Sequence, residues 1–185
     1  MNTLRLGIIG AGRIGKVHAA SISQRIEQAE VVDIADPYID EAEQLARKLG
    51  IPMASGDPMD IIQQAEIDAV VICSPTDTHT EYIRACAVQE KHIFCEKPID
   101  LDLEKIKNIL EIVNEAGVQM MVGFNRRFDP NFAKIKALVT DGKIGDPQIL
   151  KITSRDPGPP PPQYINSSGG LFLDMAIHDF DMARF

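Results

Sequence analysis

Residues 1–122 alternate between short apolar runs and longer segments in which apolar positions recur with a helical period. The apolar runs are rich in β-branched residues, which favours buried strands. We predict five strands from them, at 4–10, 31–35, 69–73, 92–95 and 120–122. A sixth, at 51–53, is expected at the edge of a sheet, because Pro52 has no N–H to donate to a neighbouring strand.

The segments between these strands are predicted to be helices. Their ranges are 14–26, 40–49, 57–64, 77–89 and 101–116. Gly50 and Gly117 follow two of them, where a glycine can end a helix in the left-handed conformation. Strands that alternate with helices form a parallel sheet covered on both faces. The predicted fold class is therefore α/β, with a Rossmann-type doubly wound parallel sheet.

The pattern changes after residue 122. It predicts a helix at 130–139, a strand at 148–153, a proline-rich loop at 157–162 and an apolar helix at 171–185. One strand cannot make an independent sheet, so we interpret 123–185 as the start of an incomplete α+β substrate domain that follows a nucleotide-binding domain at 1–122. The proline run is interpreted as a connector or a loop beside the substrate cleft, in preference to a ligand for a partner's aromatic groove.

Composition and charge narrow the classes of partner. The 185 residues carry a formal net charge of −8, which disfavours nucleic-acid binding because that depends on Lys and Arg contacting phosphates. No apolar stretch approaches the roughly 20 residues that span a bilayer, and the N-terminal apolar run is too short for a secretory signal. Cys73, Cys86 and Cys95 lack metal-binding spacing and are expected to be buried, reduced thiols. We expect a cytoplasmic protein with a small-molecule partner, no membrane or nucleic-acid partner and no metal.

A glycine-rich loop joins the first strand to the first helix. Its three glycines suit a tight turn, the close approach of a pyrophosphate and close packing of the helix on the sheet, with the phosphates at the helix N-terminus. Asp36 ends the second strand about 20 residues later, where a carboxylate binds the adenosine ribose hydroxyls and repels a 2′-phosphate. The sequence therefore predicts NAD as the cofactor. The residues assigned to it here are Gly10, Gly12, Arg13, Ile14, Gly15 and Asp36.

Two alternatives to NAD binding stay open. The glycines can form a purely structural turn, with Asp36 acting only as a cap for the next helix. Alternatively, Arg13 can serve the extra phosphate of NADP.

Further polar motifs follow the later predicted strands or lie near the C-terminus. They are Ser-Pro-Thr-Asp-Thr-His at 74–79, Glu-Lys-Pro at 96–98, Gly-Phe-Asn-Arg-Arg-Phe at 123–128 and Gly-Gly-Leu-Phe-Leu-Asp-Met-Ala-Ile-His-Asp at 169–179. With the glycine loop, they resemble the Gfo/Idh/MocA oxidoreductases along the whole chain. The Glu-Lys-Pro motif combined with Asp-x-x-x-His is specific to that family. Typical members are about twice as long, so we expect a fragment that binds NAD but turns over weakly or not at all by itself.

The resemblance implies NAD-dependent oxidation of a secondary hydroxyl on a cyclic polyol, such as myo-inositol to the 2-keto inosose. This reaction needs a base for the hydroxyl proton and positive charge beside the oxygen. His178 can take the proton, and Asp174 lies four positions earlier, on the same helix face, where it can orient the imidazole. Lys97, at the carboxyl end of the fifth strand, can bind the reacting oxygen, and Pro98 permits a cis bond after it. Taken singly, the same residues are also compatible with a solvated lysine and a local Asp–His salt bridge.

The resemblance also implies residues that bind cofactor and substrate. Those expected to line the cofactor cleft are Ser74, Thr76, His79, Glu96 and Lys97. Those expected to contact the nicotinamide or the hydroxyls of a polyol or sugar are Asn125, Arg127, Asp156 and Asp181. Turn or helix capping is the alternative for the first group and a surface or helix charge for the second. The full-length protein is expected to be a homo-oligomer.

Two other functions stay open. A related sugar or sugar-acid dehydrogenase would use the same catalytic groups, since much of the substrate recognition would lie outside these residues. A dinucleotide-sensing regulator would keep the fold without the chemistry. The presence of Lys97, Asp174 and His178 argues against a sensor, because sensing needs no proton relay.

Overall fold

The computed structural model of the chain describes residues 3–155, 158–160, 165 and 168–185. It divides into two compact units, Met1–Gly123 and Phe124–Phe185.

The first unit is built on a six-stranded sheet in which every pair of neighbours is parallel. Its strands are β1 (Leu4–Ile9), β2 (Ala29–Ala35), β3 (Met53–Ser55), β4 (Ala69–Ile72), β5 (His92–Cys95) and β6 (Met120–Val122). Their order across the sheet is β3-β2-β1-β4-β5-β6. The order reverses direction between β1 and β4, so the loops after these two strands flank the crevice where such sheets bind ligands. The predicted doubly wound fold is confirmed.

Five helices connect the strands. They are α1 (Arg13–Arg25), α2 (Ile39–Leu49), α3 (Pro58–Gln63), α4 (Thr76–Val88) and α5 (Leu103–Ala116). Gly50 and Gly117 adopt left-handed conformations at the ends of α2 and α5, as predicted. The Asp57 and Asp102 carboxylates accept hydrogen bonds from the first turns of α3 and α5, which places these residues just outside the helices.

The edge strand β3 begins two residues later than predicted. Its Met53, Ala54 and Ser55 pair with the end of β2. The Ile51 N–H instead donates to the Ala46 carbonyl at 3.0 Å, so this residue closes the turn after α2. The edge position is confirmed, but the 51–53 range is wrong because tertiary pairing selects the register.

Apolar residues fill both faces of the sheet. Ile8 packs with α1 and α2 residues such as Ala19 and Leu45, whereas the adjacent Ile9 belongs to a second cluster that includes Ile61 and Ile83 from α3 and α4. Successive side chains of a strand point to opposite faces, so these two clusters show that both faces are covered. The exposed polar groups of the predicted cofactor site therefore lie at the strand ends and in the loops that follow them.

The second unit contains a 3₁₀ turn (Asn125–Phe128), helix α6 (Pro130–Thr140), a π-helical turn (Phe172–Ala176) and helix α7 (Ile177–Arg184). The strand expected at 148–153 is not formed, and Ile149 is 89% exposed. No strand among the described residues of this unit is available to pair with it, and a lone extended segment has no ladder to stabilise it. The predicted C-terminal helix is formed, and it contains a π-helical turn at Phe172–Ala176 that the sequence pattern did not predict.

The three cysteines are free thiols with restricted exposure. Cys86 and Cys95 are buried and Cys73 is partly buried. Burial raises the pKa of Cys73 and that of Cys86 each to about 12, and it raises the pKa of Cys95 as well. The predicted burial is confirmed for Cys86 and Cys95, whereas Cys73 is less buried than expected. The reduced state of the thiols stays a prediction. Among the helices of the described ranges, none has the length and apolar character that a membrane crossing requires.

Candidate active site

The turn between β1 and α1 depends on two glycines for its shape. Gly10 has a positive φ of 104°, and its N–H donates to the Ala35 carbonyl at 2.7 Å. A Cβ at Gly15 would lie 1.8 Å from the Gly10 carbonyl oxygen. A side chain at either position would therefore distort the turn itself.

Gly12 has no comparable role within the protein. Its φ of −69° suits any residue, and an added Cβ would meet no atom within 4 Å. It caps α1 without a side-chain hydrogen bond, and the first turn holds no acidic residue. The N–H groups and positive dipole end of α1 thus face open space, an arrangement that fits a cofactor pyrophosphate. Arg13, in this first turn, is exposed.

The Asp36 carboxylate is fixed beside the same loop. Its Oδ2 accepts a hydrogen bond from the Ala11 N–H at 2.7 Å, and its Oδ1 accepts one from the Tyr38 N–H at 2.9 Å. Each carboxylate oxygen can accept a second hydrogen bond. Asp36 is therefore held in place while keeping the capacity to bind two ribose hydroxyls.

The loop after β4 is organised by buried hydrogen bonds. The Thr78 hydroxyl donates to the Pro75 carbonyl at 2.7 Å and also lies 2.7 Å from Ser74 Oγ, and Thr76 begins α4. His79 is only 1% exposed, with Nδ1 2.8 Å from the Pro98 carbonyl oxygen and Nε2 2.9 Å from the Ser74 carbonyl oxygen. Contact with the cofactor stays a prediction for Ser74 and Thr76. For His79 we instead infer that the ring positions the two loops, because its two nitrogens face the backbone carbonyls of Pro98 and Ser74.

The Glu96-Lys97-Pro98 turn follows β5. The Lys97–Pro98 bond is cis, and Lys97 is half-buried. Glu96 Oε1 lies 2.7 Å from His18 Nε2 on α1, and Glu96 Oε2 accepts a hydrogen bond from the Lys97 N–H at 3.3 Å. The carboxylate thus connects the helix that begins at the glycine loop with the turn that carries the candidate catalytic lysine.

His18 is absent from the residues predicted above, although the sequence holds a signal for it. It lies three positions after Gly15, so the two residues share a face of α1, and a Cβ at Gly15 would lie 1.8 Å from the Gly10 carbonyl oxygen, which shows how closely this face packs. The identity of its partner depends on the fold, because Glu96 is 78 positions away.

In the second unit, charged residues of the 3₁₀ turn pair with α7. Arg127 Nε donates to Asp181 Oδ2 at 2.9 Å and its Nη2 to Oδ1 at 2.5 Å, while Arg126 pairs with Asp179. This hydrogen bonding raises the pKa of the Arg127 guanidinium. Arg127 and Asp181 therefore form a local ion pair, which neither the expected substrate contact nor the alternative of a surface or helix charge had specified. Asn125 is exposed and keeps its predicted role.

The candidate acid–base pair lies where the helix geometry changes. Asp174 is inside the π-helical turn and His178 is in the first turn of α7. The His178 ring contacts the edge of Phe124, with centroids 6.3 Å apart. Single π-helical turns often occur at functional sites. Asp156, the remaining candidate, lies outside the described residues.

The fold and the loop define the class of protein. A glycine turn at a β–α junction, an open helix N-terminus and a carboxylate at the end of β2 together characterise a dinucleotide-binding Rossmann domain. Residues 4–124 match the family model described as an oxidoreductase family with an NAD-binding Rossmann fold, and residues 132–185 match the GFO/IDH/MocA C-terminal domain. The chain belongs to the Gfo/Idh/MocA oxidoreductase family, which confirms the resemblance and NAD as the cofactor.

Similar proteins of known name are also oxidoreductases, in agreement with this family assignment. The chain is 49% identical over 182 residues to the myo-inositol 2-dehydrogenase of Thermotoga maritima, covering 98% of this chain and 54% of that protein. It is 50% identical over 183 residues to the inositol 2-dehydrogenase of Rhizobium meliloti, covering 99% and 54%. The chain thus spans about half the length of the curated relatives it matches.

A solved structure is similar along nearly the whole chain. It is the scyllo-inositol dehydrogenase of Lactobacillus casei with bound NAD(H) and scyllo-inositol, with a TM-score of 0.85 and 35% identity. The similarity covers 99% of this chain and 56% of that one.

Proposed function

We propose that the protein containing this chain oxidises a secondary hydroxyl of a cyclic polyol, converting myo-inositol to the 2-keto inosose. The observation that carries the proposal is the 49% and 50% identity with two inositol 2-dehydrogenases over 98% and 99% of the chain. The retention of Lys97, Asp174 and His178 in their family motifs supports a catalytic protein over a sensor.

The cofactor site is assigned to the first unit. Gly12 and the first turn of α1 would hold the pyrophosphate, and Asp36 would bind the adenosine ribose. Ser74 and Thr76 would line the cleft beside them. NAD, when bound, supplies the acceptor for the hydride that leaves the substrate carbon.

The remaining chemistry falls to three side chains. His178 accepts the proton of the substrate hydroxyl at an imidazole nitrogen, and the Asp174 carboxylate stabilises the imidazolium. The Lys97 ammonium lowers the cost of negative charge on the oxygen as its O–H bond breaks. The carbon loses a hydride as the C=O bond forms, so one hydride and one proton leave for each ketone produced.

The test is an assay of polyols and sugars with NAD and NADP, followed by NADH absorbance, on a full-length polypeptide that contains this chain. We expect oxidation of myo-inositol with NAD. Lys97→Met and His178→Asn should each lower kcat by about 100-fold or more while NADH affinity changes little, because they act on the reacting centre. Lys107→Met, on the exposed face of α5, is the matched control for loss of a lysine.

Three results of this assay would contradict parts of the proposal. NADH binding without oxidation of any polyol or sugar would favour the sensor. Unchanged kcat in both Lys97→Met and His178→Asn would show that these two residues are not the catalytic groups. Normal turnover by the 185-residue chain alone would contradict the expectation that this part is inactive by itself.

A second candidate is a dehydrogenase of another sugar or sugar acid. It is supported by similarity to the WlbA dehydrogenase of Bordetella pertussis in complex with NADH and UDP-GlcNAcA, with 27% identity and a TM-score of 0.72 over 78% of this chain. Preferential oxidation of sugars in the same assay would select it. A cytoplasmic location, a homo-oligomeric state, and the lack of membrane or nucleic-acid partners remain predictions.

A further inference from the structure

A hydrogen-bonded pair lies under the turn that carries Lys97. His18 Nε2 and Glu96 Oε1 are 2.7 Å apart, and their side chains are only 27% and 20% exposed. Neither the sequence motifs nor the proposed chemistry assigns a role to His18.

Each oxygen of the Glu96 carboxylate has its own partner. A carboxylate can only accept, so His18 Nε2 carries the hydrogen in this pair. The other oxygen accepts the Lys97 N–H at 3.3 Å. The Glu96 backbone is held as well, because its N–H donates to the Ile72 carbonyl at 3.0 Å. Rotation of the carboxylate would therefore break a contact to the residue that bears the catalytic ammonium.

Packing confines the pair to this arrangement. The His18 ring meets Phe94 edge to face, with centroids 5.0 Å apart. A Cβ on Gly123 would lie 3.0 Å from both carboxylate oxygens of Glu96, so the carboxylate occupies space that only a glycine leaves open. Because α1 also carries the glycine loop at its N-terminus, His18 fastens the cofactor-binding helix to the Lys97 turn.

We propose that His18 is a positioning residue: it orients the Glu96 carboxylate, which in turn holds the backbone from which Lys97 projects. The kinetic part of this inference rests on the proposed function. The structural part concerns only the first unit.

Two substitutions separate the hydrogen bond from ring packing. His18→Phe keeps an aromatic ring against Phe94 and removes the donor, whereas the amide of His18→Gln can donate from a position near that of Nε2. In the full-length protein, we expect His18→Phe to lower kcat by about 10- to 100-fold with NADH affinity within about 2-fold, and His18→Gln to restore most of the rate. His92→Ala, at the opposite end of β5, is the histidine control.

A second measurement does not depend on turnover. Amide hydrogen exchange in the 185-residue chain should show faster exchange of the Lys97 N–H in His18→Phe and near-normal exchange in His18→Gln. In addition, the double variant His18→Phe/Glu96→Gln should lose no more kcat than the more impaired single variant, because both changes act through one carboxylate.

The outcomes distinguish this inference from the proposed function. If the wild type oxidises no polyol but His18→Phe still loosens the Lys97 amide, the proposed function fails and the positioning role stands. The positioning role is overturned if His18→Phe leaves the Lys97 amide and kcat unchanged. It is also overturned if the losses of kcat caused by His18→Phe and by Glu96→Gln add up in the double variant. A third contrary result is that His18→Phe lowers NADH affinity and unfolding temperature together with kcat and that His18→Gln restores none of them.

Discussion

The Asp36 carboxylate accepts a hydrogen bond from the Ala11 N–H at 2.7 Å, which fastens the end of β2 to the glycine loop. The group assigned to the ribose is therefore held by the same loop that is assigned to the phosphates. Cofactor preference and loop position are coupled through this one side chain.

Substitution of Asp36 should weaken NAD binding and relax the preference against NADP. Asp36→Asn removes the charge that a 2′-phosphate would meet, and hydrogen bonds to charged groups contribute about 1.5–3 kcal/mol. We expect the NADH dissociation constant to rise by about 10- to 100-fold, measured by fluorescence titration, with a smaller loss for NADPH. The exposed Asp40→Asn is the matched control. Equal losses for NADH and NADPH would contradict the assignment.

Gly12 and Gly15 should respond in opposite ways to the same change. Gly12→Ala adds a Cβ to open space, so the free energy of unfolding should change by less than about 1 kcal/mol while NADH binding weakens at least 10-fold. Gly15→Ala places a Cβ 1.8 Å from the Gly10 oxygen and should destabilise the first unit severely. Urea unfolding and NADH titration measure both effects. Full NADH affinity in Gly12→Ala would place the pyrophosphate elsewhere.

Asp33 should make the free energy of unfolding decrease as the pH rises through the acid range, which is opposite to the usual effect of a carboxyl group. It is 2% exposed, its Oδ2 accepts a hydrogen bond from Gln64 at 2.6 Å, and burial raises its pKa above the ordinary 3.8. At pH values between 3.8 and the raised pKa, Asp33 keeps its proton in the folded state but has released it in the unfolded state. The stability that Asp33 contributes is therefore fully present below pH 3.8 and is lost as the pH rises through the raised pKa. The unfolding free energy of the wild type minus that of Asp33→Asn should fall over this range.

Urea unfolding at several pH values gives that difference directly. Asp40→Asn, on the exposed first turn of α2, should show no comparable slope. A difference that rises with pH would mean that the pKa of Asp33 is lowered in the folded state.

The cysteines should be unreactive until the protein unfolds. The thiolate is the nucleophile, and burial raises the pKa of Cys73 and that of Cys86 each to about 12. At pH 8 we expect slow reaction with a disulfide reagent in buffer and rapid reaction of all three cysteines in urea. Fast labelling of the native chain would show that the β4 end is more open than described.

Arg127 should affect stability more than substrate binding. Asp181 is 8% exposed, so Arg127→Gln leaves a buried carboxylate without its charged partner, at a cost of about 1–3 kcal/mol. The predicted result is a lower unfolding midpoint with little change in KM. A large rise in KM without loss of stability would restore the substrate-binding role expected from the sequence.

The sequence by itself determined the features that depend on neighbours along the chain. Alternation of apolar runs and helical periods located five of the six strands of the first unit, and Gly50 and Gly117 marked helix ends, because these signals act within a few residues. The glycine loop and Asp36 likewise predicted the dinucleotide-binding class of the fold, since one β–α–β unit supplies them together.

Only the tertiary structure decided which distant groups meet. It set the register of β3, left 148–153 without a strand partner, and enclosed His79 between two carbonyl oxygens. It also paired His18 with Glu96 across 78 positions and Arg127 with Asp181 across 54. These contacts depend on which strand ends the topology brings together, and a local pattern of residues does not specify the topology.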